Sequence, residues 1–247
     1  MTLLVDAGNT RLKWARLSGG RLTGHGAADC LEAAWAQGLE AAWSRIPPPA
    51  RVLGVCVASQ ARRGAVEAVA RRLWRRTVEW IEPAGQGWGV INAYAEPALL
   101  GADRWAALIG ARRCAPQGAC IVDAGTAITV DGLDAEGRHL GGAIFPGREL
   151  LVRTLSQGTG RIEMGGAFQA AELPGRSTEA AVYGGARYGV AAAARALVEQ
   201  VCPACPPAGA RLATGGGADW LLPELPGAWQ RRPALVLEGL AAVAEAS

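Results

Sequence analysis

Short apolar runs alternate along the chain with stretches of helical period, and that alternation gives a first map. The run Leu3-Leu-Val-Asp-Ala-Gly reads as a buried strand ending in a glycine turn. Residues 11–17 and 21–27 read as strands returning beside it, joined at Gly19-Gly20. Leu31, Trp35, Leu39 and Trp43 recur at every fourth position, which predicts a helix over 29–45 that stops at Pro47, Pro48 and Pro49. A strand over 52–58, an arginine-rich helix over 61–75, a short strand near 77–81 and a helix over 101–113 follow. Beyond residue 119 come more strands, a helix near 147–157, a glycine-rich stretch over 158–176 and an alanine-rich helix over 178–201. A strand over 210–214, the turn Thr214-Gly-Gly-Gly-Ala-Asp219 and a helix from about 236 close the chain. Strands alternating with helices predict an α/β fold with at least partly parallel sheets.

The pattern also repeats. With Asp6 laid on Asp123, both segments read Val-Asp-Ala-Gly. With a one-residue gap Leu17 matches Leu133, and at the original offset Gly20-Arg21 meets Gly137-Arg138 and Gly24 meets Gly141. A shared strand–turn–strand–turn–strand outline predicts an internal duplication, with halves 1–115 and 116–247 joined near Pro116-Gln-Gly.

Composition narrows the possibilities. Half of the 247 residues are hydrophobic, which excludes low-complexity disorder for the chain as a whole. The 34 glycines are about twice the usual share. Without a collagen period they point to tight turns and close backbone approaches, the material of phosphate-binding loops. A net charge of +3 is too mild to favour nucleic acid as a partner. Lys13 is the sole lysine among 25 basic residues. No apolar run reaches the ~18 residues needed to cross a bilayer. The early Asp6 and the lack of a basic leader argue against a signal peptide. The six cysteines have no disulfide-like spacing, so they read as buried thiols in a cytoplasmic protein.

Candidate chemistry sits at the strand ends. Gly8 lets the backbone approach a ligand closely, and the N–H groups after it can converge on a phosphate oxygen. Asp6 can hold a metal ion directly or through water, and Lys13 can meet phosphate as a point charge. Asp123-Ala-Gly-Thr126 supplies a second carboxylate, glycine and hydroxyl at the matching place. Two such hairpins suit the grip on a polyphosphate that phosphoryl transfer needs. Thr214-Gly-Gly-Gly, between a strand and a helix, offers bare backbone to a nucleoside.

These three features together resemble the ATPase superfamily of actin, sugar kinases and the heat-shock chaperone ATPase. The resemblance implies two duplicated ribonuclease H-like lobes with mixed sheets. The stretch Asn92-Ala-Tyr94-Ala-Glu-Pro97-Ala-Leu-Leu-Gly101-Ala-Asp103-Arg104-Trp, with Asp6-x-Gly-Asn-Thr-x-x-Lys13, Asp123-Ala-Gly-Thr-Ala-Ile-Thr-Val-Asp131 and Gly141-Gly-Ala-Ile-x-Pro-Gly147, narrows it further. From residue 2 to the last helix the chain is similar to the type III pantothenate kinases.

That resemblance implies ATP with Mg2+ as co-substrate, pantothenate as acceptor, a K+ or NH4+ ion, a homodimer with its active site near the interface, and no feedback binding of coenzyme A. Asp6, Ala7, Gly8, Asn9, Thr10, Arg11, Leu12 and Lys13 match the first ATP-phosphate loop, with Asp6 towards magnesium. Thr126 matches an ATP contact and Asp123 the monovalent-cation ligand. Asp103 matches the general base. Tyr94, Gly101, Ala102, Asp103 and Arg104 match pantothenate contacts, and Thr178 matches one supplied across the dimer. Two alternatives stay open: a regulatory accessory protein of the same lineage acting in transcription, and an actin-like assembly ATPase.

Each assignment has a plainer counterpart. Asp103-Arg104 also fits a surface ion pair, Tyr94 a core aromatic with a satisfied hydroxyl, and Thr178 a helix cap. Asp131 reads as a hairpin residue. His25 and His139 read as solvent-facing turn residues. The arginines at 62, 63, 71, 72, 75 and 76 read as a solvated helix face. Cys202-Pro-Ala-Cys205 lacks the second pair or histidine of a zinc site, so two loop thiols are favoured over a redox pair. Gly184, Gly185 and Gly189 would let another helix approach the 178–201 helix, and a dimer contact is expected there.

Overall fold

The computed structural model describes residues 1–159 and 172–246, so most of the expected 158–176 stretch lies outside the described residues. Two compact units emerge. The first contains residues 1–116, 136–139 and 234–247, and the second contains residues 117–135 and 140–233.

In the first unit, β1 (Thr2–Ala7), β2 (Arg11–Ser18) and β3 (Arg21–Asp29) form an antiparallel meander. Next come α1 (Trp35–Trp43), β4 (Arg51–Cys56), α2 (Gln60–Trp74) and β5 (Val78–Trp80). The sheet order is β3-β2-β1-β4-β5, with β4 parallel to both β1 and β5. A small hairpin of β6 (Gln86–Gly87) and β7 (Val90–Ile91) precedes α3 (Ala102–Cys114). Leu3, Leu4 and Val5 are all fully buried, because β1 is covered on both faces. On one face Trp43 stacks on Trp74 at 5.3 Å and meets the edge of Trp14 at 6.2 Å.

The predicted 29–45 helix is shorter than its periodicity suggests. Asp29 Oδ1 accepts the Leu31 N–H at 2.8 Å, and this local turn competes with helix formation until Trp35. Leu31, counted in the apolar stripe, is 56% exposed.

The second unit repeats the plan with β8 (Ala119–Ala124), β9 (Ala127–Leu133) and β10 (His139–Pro146), then α4 (Arg148–Gly158) and α5 (Thr178–Val201). β11 (Ala210–Thr214), α6 (Ala218–Leu221) and β12 (Gln230–Arg231) complete it. The order β10-β9-β8-β11-β12 reproduces the first sheet strand for strand, including the parallel β8–β11 pair. Thr2 pairs with Leu17 and Ala119 with Leu133, so the residues matched by the sequence repeat occupy matched registers. Gly20, Gly24, Gly137 and Gly141 all have positive φ, so each pair of matched glycines keeps the same backbone role.

A single cut at 115/116 does not reproduce the compact units. α7 (Leu235–Glu245) packs on α3 in the first unit, with Gly110 and Gly239 at the crossing. A Cβ on Gly239 would lie 1.9 Å from the Ala106 carbonyl oxygen, so only glycine admits this approach. Residues 136–139 also belong to the first unit, where Ile91 N–H donates to Gly137 O at 2.8 Å. Among the described residues no helix is long and apolar enough to cross a membrane.

Candidate active site

The first hairpin is a turn over 8–11 between β1 and β2. Gly8 N–H donates to Arg11 O at 3.1 Å, and a Cβ on Gly8 would stand 2.9 Å from that oxygen. Asp6, half-buried at the end of β1, lies opposite Lys13 on β2, so the strands put a carboxylate and the lysine side by side. Asn9 Nδ2 donates to Val57 O at 3.2 Å, and Cys30 N–H donates to Thr10 O at 2.8 Å. Arg62, at the start of α2, donates to the Asn9 and Cys30 carbonyls. Its expected solvated role therefore gives way to pinning this loop. Ala7, Thr10, Arg11 and Leu12 complete the turn, with Ala7 and Leu12 in the core beneath it.

The Tyr94-to-Arg104 segment forms a cluster of its own in the same unit. Gly101 caps α3, so Asp103 sits in its first turn, where the helix N-terminus favours an anion. Asp103 Oδ1 accepts the Arg104 N–H at 2.7 Å, and a Cβ on Gly101 would lie 2.6 Å from that oxygen. Ala102 is buried beside them. Arg104 is only 5% exposed, which removes the reading of a surface ion pair. Its Nη1 donates to Tyr94 Oη at 2.8 Å, and its guanidinium lies 5.6 Å from the Tyr94 ring centre. Asn92 accepts the Tyr94 N–H at 3.0 Å while donating to Ala84 O and Pro97 O, which fixes the loop.

His139 corrects a sequence expectation. It is 3% exposed rather than solvent-facing, and it stacks on Tyr94 at 6.0 Å with 20° between the rings. His25 is exposed, in β3 rather than in a turn. Asp131 is likewise buried, at 3%, inside β9.

In the second unit Asp123 ends β8 opposite Thr129 and beside Thr214 of β11. Gly215 has φ +87°, and a Cβ there would come within 2.4 Å of Asp123 Oδ1 and of Ala124 O. Gly217 N–H donates to Ala124 O at 2.7 Å, and Gly147 N–H donates to Thr126 O at 2.9 Å. Bare backbone thus walls the Asp123–Thr126 turn, with the start of α4 beside it. Among the described residues no group of three or more His, Cys, Asp or Glu is set to hold a metal. Single hard carboxylates such as Asp6 and Asp123 suit cations whose remaining ligands are phosphate oxygens and water.

Thr178 is the exposed first residue of α5, and the cap is Ser177, whose hydroxyl accepts the Ala180 N–H at 3.1 Å. The capping alternative for Thr178 therefore passes to its neighbour. Gly184 serves an approach within the chain, because a Cβ there would lie 2.7 Å from Leu173 Cδ2; Gly185 and Gly189 have open space around them.

A family model for type III pantothenate kinase matches residues 2–200. The chain belongs to the type III pantothenate kinase family. It is 47% identical over 245 residues to a type III pantothenate kinase of Halorhodospira halophila, covering 97% of this chain and 96% of that one. With that of Alkalilimnicola ehrlichii it shares 40% over 247 residues, covering 99% and 98%. Among solved structures it resembles MreB 5 of Spiroplasma citri bound to AMPPNP, with a TM-score of 0.53, 12% identity and coverage of 99% and 96%. The ADPNP-bound activator of the 2-hydroxyisocaproyl-CoA dehydratase of Clostridium difficile gives a TM-score of 0.56, 14% identity and coverage of 98% and 93%. With two five-stranded sheets of identical order, these likenesses place the fold among the actin-like ATPases, built from duplicated ribonuclease H-like lobes.

The sequence pointed to Tyr94, Gly101, Asp103 and Arg104, and the structure gathers them into one cluster. It did not point to His139 or Arg62. Both lie far along the chain from the residues they support, and no local pattern marks them.

Proposed function

We propose that this protein transfers the γ-phosphoryl group of ATP to the primary hydroxyl of pantothenate, giving 4′-phosphopantothenate in the first step of coenzyme A biosynthesis. The family match over residues 2–200 and the relative matched over 97% of the chain carry this reading, and the Tyr94–Asp103–Arg104 cluster supports the roles. Asp103 accepts the proton of the attacking hydroxyl. Arg104, held by Tyr94, faces the pantothenate carboxylate with a charge-assisted hydrogen bond. Gly101 and Ala102 give the acceptor a backbone surface.

Residues 6–13 bind the ATP phosphates, with Asp6 towards Mg2+, and Thr126 is a second ATP contact. Asp123 holds K+ or NH4+. Bound cations supply neutralisation of the charge that builds on the transferred group. Thr178 reaches the acceptor of the other protomer in a cytoplasmic homodimer. Halves 1–115 and 116–247 are the evolutionary repeat, whatever the compact units exchange. The mild net charge does not favour nucleic acid, and Asp6, Asp103, Asp123 and Thr126 stand intact, where a purely regulatory relative would have lost them.

ADP release by the purified protein, with and without pantothenate and in potassium or sodium buffer, tests the reading. Turnover that needs both pantothenate and potassium, and is lost in Asp103→Asn, is the expected result. Hydrolysis indifferent to pantothenate would overturn it.

A further inference from the structure

The Cys202-Pro-Ala-Cys205 pair closes the C-terminal end of α5, and the fold adds a third thiol that the sequence does not place there. Cys120, buried on β8, belongs to the core cluster against which Cys202 and Cys205 pack. Cys205 Sγ also donates to Ala119 O at 3.3 Å on the same strand. None of the six cysteines, all among the described residues, is joined in a disulfide.

The backbone is already shaped for a bond between the outer two. Cys205 N–H donates to Cys202 O at 3.0 Å, closing a tight turn. Such a turn keeps its end Cα atoms within about 7 Å, and a disulfide spans roughly 4.4–6.8 Å. Cys202 and Cys205 are both half-buried, so a small oxidant can reach them, while Cys120 is sealed beneath.

The electrostatics differ from those of the other thiols. Hydrogen bonding from Cys120 outweighs burial and, with Arg211 nearby, brings Cys202 down to about 7. The same neighbour lowers Cys205, whereas burial pushes Cys30 and Cys56 up. Cys120 is itself raised, chiefly by the hydrogen bonds that it makes to these two.

We propose that Cys202 and Cys205 form a peroxide-reactive dithiol, with Cys202 the attacking sulfur and Cys120 the hydrogen-bond donor that positions it. The Cys202 thiolate attacks one oxygen of hydrogen peroxide; the S–O bond forms as the O–O bond breaks, and the departing hydroxide takes a proton to become water. The Cys205 thiolate then attacks the resulting sulfenic sulfur. The S–S bond forms as S–O breaks, and a second water leaves. Two electrons pass from the two thiols to one peroxide.

Peroxide treatment followed by trypsin and mass spectrometry tests this. Residues 196–211 form one tryptic peptide that contains both cysteines, and Cys120 falls in another, 114–138. The expected product is peptide 196–211 lighter by two hydrogens and restored by dithiothreitol, with exposed Cys114 as the internal reference. A cross-link between the two peptides would overturn the pairing, and accumulation of sulfinic acid on Cys202 without a disulfide would overturn the site. Cys120→Ala should slow disulfide formation about threefold at neutral pH, since thiolate is lost while nucleophilicity partly recovers. Cys120→Ser, which still donates, should restore the rate, and equal rates in Ala, Ser and wild type would remove Cys120 from the assignment.

Discussion

The two hairpins at the ends of β1 and β8 sit on sheets of the same order, yet they are held in different ways. The first spans residues 8–11 and the second only 125–127, one residue shorter for the same strand register. Side chains secure the first: Arg62 and Asn9 tie its loop to α2 and to the residues just after β4. Backbone secures the second, through Gly147, Gly215 and Gly217 packed against the Asp123–Thr126 turn. Duplication kept the scaffold and the carboxylate while the means of support diverged. The cluster around Tyr94 and Asp103 belongs to the first unit.

Substitutions can break this comparison, and the largest effect is expected at Asp103. Asp103→Asn should lower kcat by roughly 10²- to 10⁴-fold with the fold intact, read from steady-state kinetics and a thermal melt. Arg104→Met should act on the acceptor side, raising KM for pantothenate roughly 10- to 100-fold and leaving KM for ATP near wild type. A parallel rise in both constants would count against a dedicated acceptor cluster.

The hairpins themselves separate next. Gly215→Ala combines a positive φ with a backbone clash and should cost roughly 1–3 kcal/mol in denaturant unfolding. Gly8→Ala meets only the Arg11 carbonyl and should cost less; equal losses would remove the distinction between side-chain and backbone support. Arg62→Met should loosen only the first hairpin, costing about 1 kcal/mol and raising KM for ATP a few-fold.

The smallest effect lies at the far end of the first sheet. Arg51 hydrogen-bonds Glu79 and holds its carboxyl below the usual range. A depressed carboxyl stabilises the fold above its unfolded pKa, and that contribution fades as pH falls through the folded value. The pair is solvent-exposed, so Glu79→Gln should cost under ~1 kcal/mol at neutral pH and nothing in strong acid.

Particular residues show how far the chain could be read in advance. The α5 and β11 boundaries follow from apolar period and from the glycines beside them. Residues 30–34 stay outside α1 because one Asx turn outweighs a four-residue stripe. β12, two residues long, leaves no periodic trace and exists because β11 offers it an edge. Tyr94, Asp103 and Arg104 were legible because they fall within a dozen residues of one another. His139 was not, since its burial depends on a partner forty-five positions away.

The sequence by itself determined the duplicated α/β plan, the two Asp-Gly turns and the Tyr94-to-Arg104 loop and helix start, since each is written in local spacing and in the backbone freedom of glycine. Tertiary structure alone decided that α7 and residues 136–139 join the first unit, that Arg62 locks the first hairpin, and that Cys120 meets Cys202 and Cys205. Those outcomes depend on which distant segments bury surface and satisfy hydrogen bonds together, and local periodicity carries no record of that pairing.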